Sequence, residues 1–145
     1  MESAKKMDPD MARMLSETGY SDKAIRYLED TPGLGILENA DHVTDLVGPC
    51  GDSMKLSLDV DGGIIRDARI QVLGCPGAIA SGCALVSLAK GRSMEDARKL
   101  TIEDLYAEVE RLPEKKIHCA RLVLKTLHKA VDEYVQKQTD KGERK

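Results

Sequence analysis

Between Ile70 and Ala89 the chain carries no Asp, Glu, Lys or Arg. An uncharged run of that length either crosses a membrane or lies inside a protein core. Gly74-Cys75-Pro76-Gly77 decides between the two, because it breaks the run close to its start. The part before the break is rich in β-branched residues and the part after it in Ala, Leu and Ser, so the run reads as a buried strand turning into a buried helix. Pro76 fits the first helical position, and Gly91 fits a stop just past about Lys90.

The strand has an evident partner. Met54, Leu56, Leu58 and Val60 alternate with Lys55, Ser57 and Asp59, Asp61-Gly62-Gly63 turns the chain, and Ile64 to Leu73 runs back. An extended stretch from His42 to Val47 adds a further strand ahead of the irregular loop Gly48-Pro49-Cys50-Gly51-Asp52. Ser21 to Leu28 reads as a short amphipathic helix ended by Thr31-Pro32-Gly33. Ser93 with Asp96 and Thr101 with Asp104 mark the first turns of two short helices. Beyond the break at Leu112-Pro113, Leu122, Val123, Leu127, Ala130, Val131 and Tyr134 recur at helical spacing, predicting a long helix from Ile117 to about Gln136. The expectation is an α+β fold: a small antiparallel sheet of about three strands covered by helices, with a long C-terminal helix. One domain is expected over residues 1–145, with a flexible or helical segment over 1–19 and a frayed tail over 138–145.

A chain of 145 residues with 41% hydrophobic content can bury a core without disulfides, and with no Phe or Trp that core must be aliphatic. Four cysteines and no charged-then-apolar leader point to a reducing, cytoplasmic setting in which thiols bind metal or do chemistry. Charge is uneven. Residues 1–50 carry 5 basic and 10 acidic side chains, 51–110 carry 7 and 10, and 111–145 carry 10 and 5. The basic last third fits an acidic protein partner or a solvated helix face. No aromatic interleaving or nucleic-acid motif accompanies it, so nucleic acid is not an expected partner, nor is a membrane.

Three cysteines stand at element boundaries: Cys50 in a loop entering a strand, Cys75 where a strand becomes a helix, and Cys119 beside His118 at the start of the last helix. A thiol near a helix N-terminus is drawn toward the thiolate by unpaired N–H groups and the positive end of the dipole, which favours metal binding or attack on sulfur. Cys75 and Cys119 occupy such positions. Asp52 follows Cys50 by two, so an extended backbone points both side chains the same way. His118 offers an imidazole suited to iron or zinc. Cys83 lies eight residues into the helix from Cys75, about 12 Å along its axis. It sits between Ile79 and Val86 and is expected in the core. His42 and His128 have no neighbouring ligands and are expected as ordinary surface or cap histidines. No Cys-x-x-Cys pair occurs, so these are not zinc-finger spacings.

Tyr20-Ser21 with Lys23, Cys50-Gly51-Asp52, the hairpin, Gly74-Cys75 before Ala78-Ile79-Ala80-Ser81, Lys90-Gly91 and Ile117-His118-Cys119 together resemble, in order, the iron-sulfur cluster scaffold family of IscU and the N-terminal domain of NifU. The likeness covers about residues 20 to 135. It implies a non-enzymatic scaffold on which a [2Fe-2S] cluster is assembled from iron and from sulfur delivered by a cysteine desulfurase, then passed to apo iron-sulfur proteins. Carried over, Cys50, Cys75 and Cys119 resemble the thiolate ligands, Asp52 the adjacent carboxylate tied to cluster release, and His118 the nearby imidazole. Cys119 also matches the acceptor of persulfide sulfur. Zinc could occupy the same ligands, and the alternatives are a zinc-binding structural or regulatory module and a persulfide carrier without a cluster.

The departures carry expectations too. Leu112-Pro113-Glu114-Lys115-Lys116 differs from the Leu-Pro-Pro-Val-Lys chaperone-recognition segment of the IscU branch, so the dedicated Hsp70-type chaperone is not an expected partner. Pro76 removes a backbone N–H that could otherwise bond a cluster sulfur. Arg111, Lys115, Lys116, Arg121 and Lys125 offer a contact surface for the desulfurase. A cluster held in one chain and one bridging a homodimer both remain open.

Overall fold

The computed structural model describes residues 8–48, 51–113 and 117–143. Helices α1 (Pro9–Glu17) and α2 (Asp22–Asp30) precede strands β1 (His42–Val47), β2 (Ser53–Asp61) and β3 (Ile64–Leu73), and α3 (Pro76–Ala89), α4 (Met94–Arg98), α5 (Ile102–Val109) and α6 (Ile117–Glu143) follow. The strands form an antiparallel meander in the order β1-β2-β3. The predicted strand and helix starts agree closely with these limits. The last helix, expected to end near Gln136, instead continues to Glu143 through the stretch expected to fray. Within 136–143 the sequence has no Pro, and its one Gly is Gly142. The N-terminal segment contains a helix, α1, with Asp8 accepting from the Asp10 N–H as its cap.

Local chemistry accounts for the boundaries. The Ser21, Ser93 and Thr101 hydroxyls accept from backbone N–H groups three residues on, and Asp104 returns the contact to Thr101 in a capping box. Gly62 and Gly63 take positive φ at the hairpin turn. Across the sheet His42 faces Leu58, and Leu56 faces Ile70. Alternation along β2 turns Met54, Leu56, Leu58 and Val60 toward the helices. There α6 packs on β1 and β2, α3 packs on β3, and the two helices pack on each other.

Helix α3 explains the uncharged run. It is enclosed by β3, α2, α5 and α6, and buries residues on every side, among them Ala78, Ser81, Cys83, Leu85 and Val86. Gly82 lets it approach the sheet: a Cβ there would lie 3.2 Å from Val72 and 3.3 Å from Ile70. The core is aliphatic as the composition requires, with Leu56, Leu58, Ile65, Ile70, Leu85, Leu105 and Leu127 fully buried.

His42 departs from its expected surface or cap setting. It is buried at the β1–α6 contact, where its Nε2 lies 3.1 Å from Glu133 Oε1 and the Thr44 hydroxyl donates to the same oxygen at 2.6 Å. A lone histidine on a short strand carries no sign of a partner 91 positions away. His128 is half-buried and donates to the Leu100 carbonyl at 3.0 Å. Among the described residues, no helix is long and apolar enough to cross a membrane.

Candidate metal centre

Strand register builds the site. Val47, Ser53 and Leu73 stand in one row across the sheet. The 48–52 loop and the Gly74-Cys75 junction therefore leave the same end of the sheet side by side. The loop closes on itself, with the Gly48 N–H donating to the Asp52 carbonyl at 2.8 Å and the Gly51 N–H to the Gly48 carbonyl at 3.0 Å. Gly51 takes φ +92° there. Helix α6 lies against this end too: a Cβ on Gly48 would come within 2.6 Å of the Leu122 side chain.

Cys75 is the N-cap residue of α3, and Pro76 takes the first helical turn, both as predicted. The Cys75 side chain makes no capping hydrogen bond. Its Sγ lies instead 3.3 Å from Cys119 Sγ, on the first turn of α6. Cys119 Sγ is also 3.7 Å from Asp52 Oδ2 and 3.5 Å from His118 Nε2. The donor atoms of Asp52, His118 and Cys119 all fall within 4.8 Å of one another. Cys119 is fully buried, Cys75 and Asp52 are half-buried, and His118 is exposed.

The spacings among Asp52, His118 and Cys119 suit a single ion. Ligands at tetrahedral angles with metal–sulfur bonds of about 2.3 Å and metal–nitrogen or –oxygen bonds of about 2.0 Å lie about 3.5–3.8 Å apart. The distances from Cys119 to Asp52 and His118 are of that size, while the two sulfurs, at 3.3 Å, stand closer than two thiolates on one tetrahedral ion. The donor set of thiol, imidazole and carboxylate suits zinc or iron.

The electrostatics of Cys119 reverse one expectation. The helix terminus was expected to favour its thiolate, but burial pushes the thiol up to about 12, and the adjacent Cys75 and Asp52 push the same way. Lost hydration, with the Cys75 sulfur and the Asp52 carboxyl group alongside, outweighs a dipole. A bound cation would supply the missing compensation. Cys83 is fully buried within α3, as expected, and burial alone pushes its thiol up to about 12.

Two residues join the site without an assigned role from the sequence. Tyr20 is buried, and burial followed by the nearby Cys75 and Cys119 sulfurs pushes its hydroxyl up to about 12. Gly74 lies directly under the Asp52 carboxylate. Both occur in the motifs quoted above, but neither spacing nor residue type signals what they touch. Cys50, Glu114, Lys115 and Lys116 lie outside the described residues. The ligand role of Cys50 and the contact and chaperone expectations resting on Glu114, Lys115 and Lys116 stay expectations from sequence. Arg111, Arg121 and Lys125 are exposed, with Arg111 Nε donating to the Gly19 carbonyl at 3.2 Å.

The NifU-like N-terminal domain family model matches residues 19–141. The chain belongs to that family. It is 38% identical over 127 residues to the iron-sulfur cluster assembly scaffold protein IscU of Escherichia coli K12, covering 84% of this chain and 98% of the relative. The IscU scaffold protein of Aquifex aeolicus is 36% identical over 122 residues, covering 82% and 78%. Among solved structures, a NifU-like N-terminal protein of Brucella abortus superposes with a TM-score of 0.66 at 15% identity, covering 85% of this chain and 99% of its own. A candidate SUF-system scaffold from Fervidobacterium islandicum AW-1 gives 0.63 at 20% identity, covering 86% and 99%. The small sheet, flanking helices and long last helix are thus the architecture of NifU-like N-terminal domains.

Proposed function

We propose that this chain is a scaffold on which a [2Fe-2S] cluster is assembled from iron and desulfurase-derived sulfur, and from which the cluster passes to apo-proteins. The observation carrying this reading is the meeting of three separate segments at Cys119, where the donor atoms of Asp52, His118 and Cys119 lie within 4.8 Å of one another and the Cys75 sulfur stands 3.3 Å from that of Cys119. The scaffold names of the IscU relatives support it. On this reading the chain binds and transfers without turnover of its own.

Cys50, Cys75 and Cys119 supply thiolates, and Asp52 or His118 completes the set. Iron-sulfur clusters are ordinarily held by four thiolates, so a harder oxygen or nitrogen ligand makes one bond exchangeable and the cluster releasable. Cys119 accepts sulfur when its thiolate attacks the outer sulfur of a desulfurase persulfide. The sulfur–sulfur bond breaks, the desulfurase thiolate leaves, and two electrons from an external donor later reduce the transferred sulfur to sulfide. Cys119 is buried against Cys75 and Asp52, so this step requires the surrounding loops to part. The exposed Arg111, Arg121 and Lys125 provide part of a surface for an acidic partner.

A zinc module is the second reading, favoured by the grouping of one oxygen, one nitrogen and one sulfur donor from Asp52, His118 and Cys119 even without Cys50. Anaerobic reconstitution with ferrous iron, cysteine and a desulfurase separates the two. Equal iron and inorganic sulfide with visible charge-transfer absorption supports the scaffold. Retained zinc with no sulfide supports the module.

A further inference from the structure

We infer that Gly74 is a positioning residue, whose missing side chain is the space that allows the Asp52 carboxylate to stand over Cys119. The inference rests on the metal-centre reading of Asp52 and Cys119. A Cβ built on Gly74 would lie 2.8 Å from Asp52 Cγ and 3.0 and 3.1 Å from its two carboxylate oxygens. Ordinary contacts between such atoms begin near 3.5 Å, so a methyl group and the carboxylate cannot share this space.

Conformation gives no competing reason for glycine here. Gly74 is absent from the glycines at positive φ, unlike Gly51, Gly62, Gly63 and Gly91. It is exposed and lies between β3 and α3, outside both elements. A β-carbon is therefore compatible with its backbone, and the three nearest atoms it would meet all belong to the Asp52 carboxylate. The Asp52 side chain can rotate away at little cost to the fold. That rotation would carry Oδ2 from its place 3.7 Å from Cys119 Sγ. Gly74 thus acts on the centre through Asp52 and touches no ion itself.

Neighbouring glycines do different work. Gly48 makes room for Leu122, which is packing between the loop and α6. Gly51 has open space around its Cβ position and is needed for its backbone angle alone. Gly74 is set apart because the atoms it makes room for are those of a candidate ligand.

The test is a double-variant cycle with zinc alone as the probe, made on the full chain with Gly74→Ala, Asp52→Ala and both together. Zinc affinity is measured by chelator competition, thermal melting checks the fold, and a crystal structure of metal-free Gly74→Ala locates the carboxylate. Gly74→Ala is expected to melt as wild type and to weaken zinc binding by about tenfold or more, the usual size of a lost ligand-orienting contact. Asp52→Ala should weaken it by the same factor, and the double variant by no more. The Asp52 carboxylate should have moved by at least about 0.5 Å from its wild-type place. Additive losses, or a carboxylate that stays in place, would overturn the inference. Should wild type bind no zinc, the metal-centre reading loses its support, while the metal-free structure still decides whether Gly74 positions Asp52.

Discussion

Cys75 and Cys119, 44 positions apart in sequence, bring their sulfurs to 3.3 Å because a strand end and a helix start meet at one end of the sheet. Asp52 enters the same point from the loop ahead of β2, its Oδ2 3.7 Å from Cys119 Sγ. The three segments meet only after the meander and α6 have packed. Metal binding at this centre is therefore tied to the folded state.

Replacing the hard ligand should change how long a cluster is kept. Asp52→Ala leaves the thiolates in place and removes the bond most easily exchanged, so the bound cluster is expected to persist severalfold longer under a chelator challenge. Visible absorption followed over time reads this directly. A lifetime equal to wild type would remove Asp52 from the account of release.

Metal uptake should depend on pH through Cys119. Its thiol is held near 12 by burial, Cys75 and Asp52, yet ligation requires the thiolate. Each ion therefore displaces at least one proton, and zinc affinity should rise about tenfold per pH unit per proton between pH 6.5 and 8. Competition titrations in matched buffers check this. An affinity flat across that range contradicts a Cys119–metal bond.

Cys83 should be inert. It is fully buried and its thiol is pushed up to about 12, so the reactive thiolate is scarce at neutral pH. Iodoacetamide at pH 8 is expected to spare Cys83 in the folded protein and to label it in urea, as read by peptide mass spectrometry. Labelling in the folded protein as fast as at Cys75 would show that α3 opens.

Acid should loosen the β1–α6 contact. The hydrogen bond from Thr44, with His42 and Lys129 close by, holds the Glu133 carboxyl below its ordinary value of 4.5. A depressed folded value means that the stabilisation is fully present above about 4.5 and disappears as pH falls through the lower folded value. Urea midpoints should decline over that acidic range, and Glu133→Gln should flatten part of the decline. An unchanged slope in the variant would assign the acid sensitivity to other carboxylates.

The hairpin, the capped helices and the place of Cys75 were legible because they depend on neighbours in sequence: alternation, turn glycines, a cap oxygen three residues before its N–H. The burial of His42 was not, since Glu133 is supplied by a helix far along the chain. The Cys119 thiol was misjudged for a related reason. A helix terminus is visible in sequence, whereas the burial and the two acidic neighbours that outweigh it arise from packing. Gly74 could be read as part of a motif, but what its missing side chain makes room for requires Asp52 in three dimensions. The extension of α6 to Glu143 was missed because polar residues carry no apolar stripe, although nothing in their backbone chemistry stops a helix.

The most direct measurement is anaerobic reconstitution of wild type beside Cys50→Ser, Cys75→Ser, Cys119→Ser and Cys83→Ser, followed by iron and sulfide analysis and visible absorption. Wild type and Cys83→Ser are expected to acquire iron and sulfide equally, and the other three to acquire little or none. A wild type that gains no chromophore while keeping one zinc, or a Cys119→Ser variant that loads as fully as wild type, would contradict the scaffold reading.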